Sequence, residues 1–158
     1  MNSPKNLPLD SRPLAIALIG LATLLGGIVR FAAPLASDFP LNDGGLFFAM
    51  IQSLQASHYH LPAQFLYNGI QIPFAYPPLG FYFTGLAADL LNQNPLEVIR
   101  WLPPLVSTLT IPAFYFLARG LSRSQATSAL ATFVFALLPR DFDWLIMGGG
   151  VTRAFGFL

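Results

Sequence analysis

The 158-residue chain is 54% hydrophobic and only 9% charged, against about 25% charged residues in an ordinary soluble domain. Seven acids and eight bases are too few to clothe a fold of this size in water, so hydrocarbon is the solvent that fits. A net charge of +1 supplies no basic stripe for nucleic acid, and the lack of cysteine excludes disulfides and thiolate metal sites.

The first thirteen residues are polar, broken by proline, and carry Lys5 and Arg12. From Leu14 to Leu35 the sequence carries no charge except Arg30. A run of this length crosses a bilayer core as a helix, with the stem of Arg30 carrying its guanidinium toward an interface. A signal peptide is the rival, but its apolar region would be shorter, and Pro34 sits badly for cleavage after Ala36. Residues 36–97 are mixed. A turn-rich loop, Ser37 to Gly45, leads into Leu46, Phe47, Met50, Ile51 and Leu54, which recur at helical spacing opposite Gln52 and Gln55. That pattern predicts a short amphipathic helix over about 44–56, lying in the membrane interface.

Residues 57–78, with His58, His60, Asn68, several aromatics and four prolines, read as loop. Pro77-Pro78 then opens an apolar stretch, Leu79–Leu91, interrupted by Asp89. It is too short to span, which predicts an interfacial or re-entrant helix. A second span covers 98–118, with Arg100 and Trp101 as anchors at its start. Pro103, Pro104 and Pro112 kink it unless neighbouring helices satisfy the freed carbonyls. A basic link holding Arg119 and Arg123 follows, then a third span over 125–138. Arg140-Asp141-Phe142-Asp143-Trp144 breaks the pattern. A fourth apolar segment begins at Leu145, contains Gly148–Gly150 and Arg153, and stops within a hydrophobic run, the expectation for a partial sequence.

Cations mark the cytoplasmic side of a membrane protein. Lys5 and Arg12 place the N-terminus there, and Arg119 and Arg123 place the 119–124 link there. Both hold only if 79–91 does not cross. Residues 36–97 are then one large outer loop, and Asp38, Asp43, Asp141 and Asp143 converge on one face of an all-α, polytopic protein in the plasma membrane.

In that order of elements the chain resembles the GT-C glycosyltransferase superfamily, which includes protein O-mannosyltransferases, aminoarabinose transferases and the catalytic subunit of oligosaccharyltransferase. The matched elements are the first span, the outer loop Phe39-Pro-Leu-Asn-Asp43-Gly-Gly, the amphipathic helix, Tyr76-Pro77-Pro78-Leu79, Arg100 at the head of a span, the basic turn, and Asp141-Phe-Asp143 in a second outer loop. Where the family's first loop often reads Asp-Glu, this chain has Gly44. The resemblance implies transfer of a sugar from a polyprenyl-phosphate donor to an acceptor on the outer face. Asp43 would be the general base, Asp141 and Asp143 ligands to Mg²⁺ or Mn²⁺, and Arg140, Arg153 and Tyr76 contacts to the donor's phosphate and sugar. Hard cations favour carboxylates and guanidinium groups pair with phosphate.

Each residue also has a plainer reading. Asp43 is a favoured helix cap. Asp141 and Asp143 could mark a solvated span end, Arg140 an interface anchor, and the Tyr and Phe residues of 65–83 an aromatic belt. Arg153, inside an apolar run, should face a cavity or a partner. His58 and His60 lack a third ligand nearby and read as loop residues. A non-catalytic protein on the same scaffold and a transporter fragment are the competing functions.

Overall fold

The computed structural model describes residues 11–148 and 150–158; Lys5, one of the cations that predict the orientation, and Gly149 lie outside them. The described residues are mostly helical, at 69%. Helix α1 (Arg12–Ala36) and helix α4 (Pro95–Leu121) are long and apolar enough, by length and composition, to cross a membrane. At 1.5 Å per residue they run about 37 and about 40 Å, against a hydrocarbon core of about 30 Å. Helix α5 (Gln125–Leu137), expected as a span, has 13 residues and runs about 20 Å.

These three helices form a bundle. Helices α1 and α4 are antiparallel: Gly27 of α1 meets Thr108, and Gly26 meets Ile111. Small residues make the approach possible. A Cβ on Gly26 would lie 2.5 Å from Ile111 Cδ1 and 3.1 Å from Ala136 Cβ. Ala22, Ala129, Ser128 and Thr132 are likewise buried. Small side chains of this kind let helix backbones approach closely. Helix α4 runs unbroken through Pro103, Pro104 and Pro112, although each proline removes the donor to the carbonyl four residues earlier.

The remaining elements form a layer over one end of the bundle. Helix α2 (Gly44–Ala56) leads to a two-stranded antiparallel hairpin, β1 (Gln64–Tyr67) and β2 (Ile70–Pro73). Helix α3 (Leu79–Leu91) follows, and after α5 come a single 3₁₀ turn (Pro139–Asp141) and helix α6 (Gly150–Phe157). The hairpin corrects the expectation of loop over 57–78. Its two-residue turn is Asn68-Gly69, with φ of 51° and 79°, the pair of left-handed residues that matches strand twist. Helix α2 buries Phe47, Met50, Ile51 and Leu54 completely. That apolar face packs on Phe65 of the hairpin, Phe81 of α3, Ile99 of α4 and Val151 of α6. It therefore faces a protein core, where the pattern predicted a helix lying in the membrane interface. The segment from Leu145, read as the start of a fourth span, instead turns and folds α6 onto α3 and α4. Gly80 permits this, since a Cβ there would collide with the Val151 carbonyl.

Candidate functional site

Asp43 lies on the 37–44 loop, and Arg140, Asp141 and Asp143 lie on the 138–148 segment that meets it; Arg153 stands on α6 and Tyr76 just before α3. The Gly148 amide donates to the Leu41 carbonyl at 2.8 Å, and the Asn42 amide contacts Met147 Sδ at 3.7 Å. Asn42 adopts a left-handed φ of 59°, which asparagine tolerates. Glycines make the seam close: a Cβ on Gly148 would lie 2.6 Å from Gly44 Cα and 2.7 Å from Gly44 N. A Cβ on Gly44 would strike Pro40. Glycine at position 44, where the resembled family often has an acid, is thus a requirement of loop packing here.

Asp43 precedes α2 at this seam. Its backbone carbonyl accepts the first intrahelical bond, from Phe47 N at 3.2 Å. Its side chain makes no cap hydrogen bond, and the residue is exposed. The cap reading of its carboxylate is not realised. Asp38 and Asp143 are also exposed, and Asp141 is half-buried. Arg140 is exposed in the 3₁₀ turn. Arg153, exposed on α6, holds its guanidinium over the Trp144 ring at 5.4 Å, so the partner expected for it is an aromatic face. Tyr76, 40% exposed, packs edge-on against Phe47 at 5.0 Å.

No three His, Asp or Glu side chains converge on a point that could hold a metal among the described residues, and His58 and His60 gain no third ligand. The donor set present among the described residues, Asp141 and Asp143 alone, does not fit a cation held by the protein.

Beneath the seam lies a residue whose place the sequence did not reveal. Arg30 is fully buried and does not reach toward an interface. Its Nε donates to Ser107 Oγ at 3.1 Å, and its Nη1 donates to the carbonyls of Gly26 at 3.1 Å and Ala136 at 2.6 Å. The guanidinium sits 4.3 Å from the Phe142 ring centroid, with Asp141 near enough to act on it electrostatically. Arg30 therefore ties α1, α4 and α5 to the start of the second loop. Arg100 does related work nearby: Nε and Nη2 donate to the carbonyls of Pro34 and Leu35 at 3.4 and 3.2 Å, and Nη1 pairs with Glu97 at 2.8 Å.

A second polar cluster fastens α2 to α3. The Asp89 carboxylate accepts from the Tyr59 hydroxyl and from Gln55 Nε2, the latter at 2.7 Å. Tyr82 donates to the Tyr59 carbonyl at 3.0 Å. Tyr59 and His58 both lie at positive φ, 62° and 50°, a costly conformation for bulky residues. Burial and the bond to Asp89 push the Tyr59 hydroxyl up to about 12. Comparison with family models, curated proteins and solved structures gives no match.

Proposed function

We propose that this chain is a polytopic membrane protein that transfers a sugar from a polyprenyl-phosphate donor to an acceptor at the layer formed by residues 37–97 and 138–157, with the opposite end of the bundle in the cytoplasm. The membrane reading is supported by Ile16, Leu24 and Ile28 of α1, each 58–61% exposed. A core helix of a water-soluble protein hides such residues, whereas a lipid-facing helix presents them. Single-sidedness is supported by the bond between Leu41 and Gly148, which joins two loops that belong together only if α3 does not cross.

The observation that carries the chemical reading is the Asp43 carboxylate: exposed at the loop seam and not used to cap its helix. In the proposed step the acceptor hydroxyl oxygen forms a bond to the anomeric carbon. The bond from that carbon to the phosphate oxygen breaks, and its electrons leave with the polyprenyl phosphate. The hydroxyl proton passes to Asp43 acting as general base. Arg140 and Arg153, on the same layer, offer positive charge to the departing phosphate.

The test uses membranes containing the chain, a radiolabelled polyprenyl-phosphate hexose, and release of free polyprenyl phosphate as the readout. Asp43→Asn should lower release about 10²- to 10⁴-fold without changing thermal stability, since the side chain caps nothing. Equal release from Asp43→Asn would exclude the assigned base. Labelling of single cysteines at positions 60, 68 and 141 by an impermeant reagent on intact cells, with position 120 protected, checks the topology separately.

A further inference from the structure

At the end of the bundle opposite the loop layer, a cleft of about 490 Å³ opens between the first turns of α1, the last turns of α4 and the start of α5. We infer that it is a binding site for an anionic phospholipid: a phosphate-bearing headgroup held by Arg12 and Arg119, with an acyl chain lying along Ile16 and Ile19. This inference rests on the membrane-spanning reading of α1 and α4.

Two helices present the same order of chemistry to the cleft. On α1, Arg12 stands at the end, and Ile16 and Ile19 follow four and seven residues later, on the same face and one to two turns deeper into the bundle. On α4, Arg119 stands near the end, and Tyr115 lies one turn inward. A ligand matching both walls has its charge outermost and its apolar part inward. Gln125, which opens α5, adds an amide at the charged end. The positive pole of α5 favours an anion there, and Ser124 caps that helix by accepting from Thr127 N at 3.2 Å. No carboxylate is among the described lining residues. The guanidinium of Arg119 is positioned by donation to the Ser122 carbonyl at 2.7 Å. The volume falls within the range of about 300–1,000 Å³ typical of small-molecule sites. Basic pockets between helix ends on the cytoplasmic side are where acidic lipid headgroups bind.

The test uses the full chain purified in an uncharged detergent. Phosphatidylglycerol, phosphatidylcholine with the same acyl chains, and inorganic phosphate are added separately. Retained lipid is read by native mass spectrometry, and Tm in parallel. Phosphatidylglycerol should be retained and raise Tm; phosphatidylcholine and millimolar phosphate should do neither. Arg12→Gln or Arg119→Gln should weaken retention about fivefold each, and the double variant about 30-fold. Arg123→Gln, on the same turn but outside the cleft, should leave it unchanged. If the arginine variants do not fold, Ile16→Trp, which fills the apolar wall and keeps both charges, should abolish retention.

Equal retention of the two lipids would overturn the inference, as would phosphate alone reproducing the shift, full retention by the double variant, or an equal loss in Arg123→Gln. Alkaline carbonate extraction separates the two ideas. Release of the chain into the supernatant sinks the spanning reading, whereas loss of lipid selectivity in a chain that stays in the membrane sinks only this site.

Discussion

Gly148→Ala tests the joint between the two loops. The new Cβ would lie 2.6 Å from Gly44 Cα, 2.7 Å from Gly44 N and 3.0 Å from the Leu41 carbonyl. These are backbone atoms and cannot rotate aside, so the loops must part. Overpacking of this kind costs about 1–3 kcal/mol, and losing the bond from Gly148 N to Leu41 O adds about 0.5–1.5 kcal/mol. Local opening should therefore be easier by roughly 2–4 kcal/mol, a factor of about 30 to 1,000 in the opening equilibrium. Amide hydrogen exchange at position 148 reads this directly. Because the chain has no native cysteine, a crosslink between Asn42→Cys and Met147→Cys gives a second reading: efficient when Gly148 is kept and lost when Gly148→Ala is added. Gly120→Ala is the control, since its Cβ would meet nothing within 4 Å. Wild-type exchange and crosslinking in Gly148→Ala would refute the loop joint, and with it the shared face on which the proposed chemistry stands.

Arg30→Met should destabilise the bundle by about 2 kcal/mol, from three hydrogen bonds at about 0.6 kcal/mol each as measured in membrane bundles. Arg30→Ala should cost about 3–5 kcal/mol because it adds a cavity; unfolding in detergent checks both, and two wild-type stabilities would contradict the tether. The Tyr59 hydroxyl, pushed up to about 12 by burial and the Asp89 bond, binds its proton more tightly folded than unfolded. Its stabilisation is thus complete below about pH 10 and lost as pH rises toward 12, and Tyr59→Phe should erase that dependence in denaturant titrations across pH 8–12. Gly69→Ala, at φ 79° with open space around it, should weaken the hairpin by about 1 kcal/mol through backbone strain alone, seen as faster exchange in 64–73 with unchanged exchange in α1.

Periodicity carried the long elements well. Helix α1 begins and ends within two residues of the apolar run, and α2 and α3 match 44–56 and 79–91. The hairpin is also legible, because Asn68-Gly69 between Phe65-Leu66 and Ile70-Ile72 is a strong turn signal, although the nearby histidines and prolines are loop formers. The partners of α2 were not legible. Amphipathicity says that a face will be covered, not by what, and Val151 and Ile99, which cover it, lie far along the chain. The seam beside the candidate residues is not legible in the sequence, since nothing local in Gly44 or Gly148 announces that the two must touch. Their pairing is a property of the tertiary approach.

Arg30 and Arg100 follow one rule, which accounts for a charge that an apolar run ought to exclude. The last four carbonyls of any helix lack an intrahelical donor, and where water is excluded the protein itself must supply one. Helix α5 ends at Leu137 and α1 at Ala36, so Ala136, Pro34 and Leu35 all hold such carbonyls. Arg30, from the interior of α1, donates to Ala136; Arg100, from the first turns of α4, donates to Pro34 and Leu35. Each guanidinium thus completes the C-terminus of a neighbouring helix, at the pole of the helix dipole that favours a cation. A lysine offers three donors from a single point, and a guanidinium offers five in a planar fork. That geometry lets Arg30 bond Ser107 and two carbonyls at once while lying over Phe142. Arg30→Lys would keep the charge, yet lose the span between α4 and α5 that holds the second loop over the bundle.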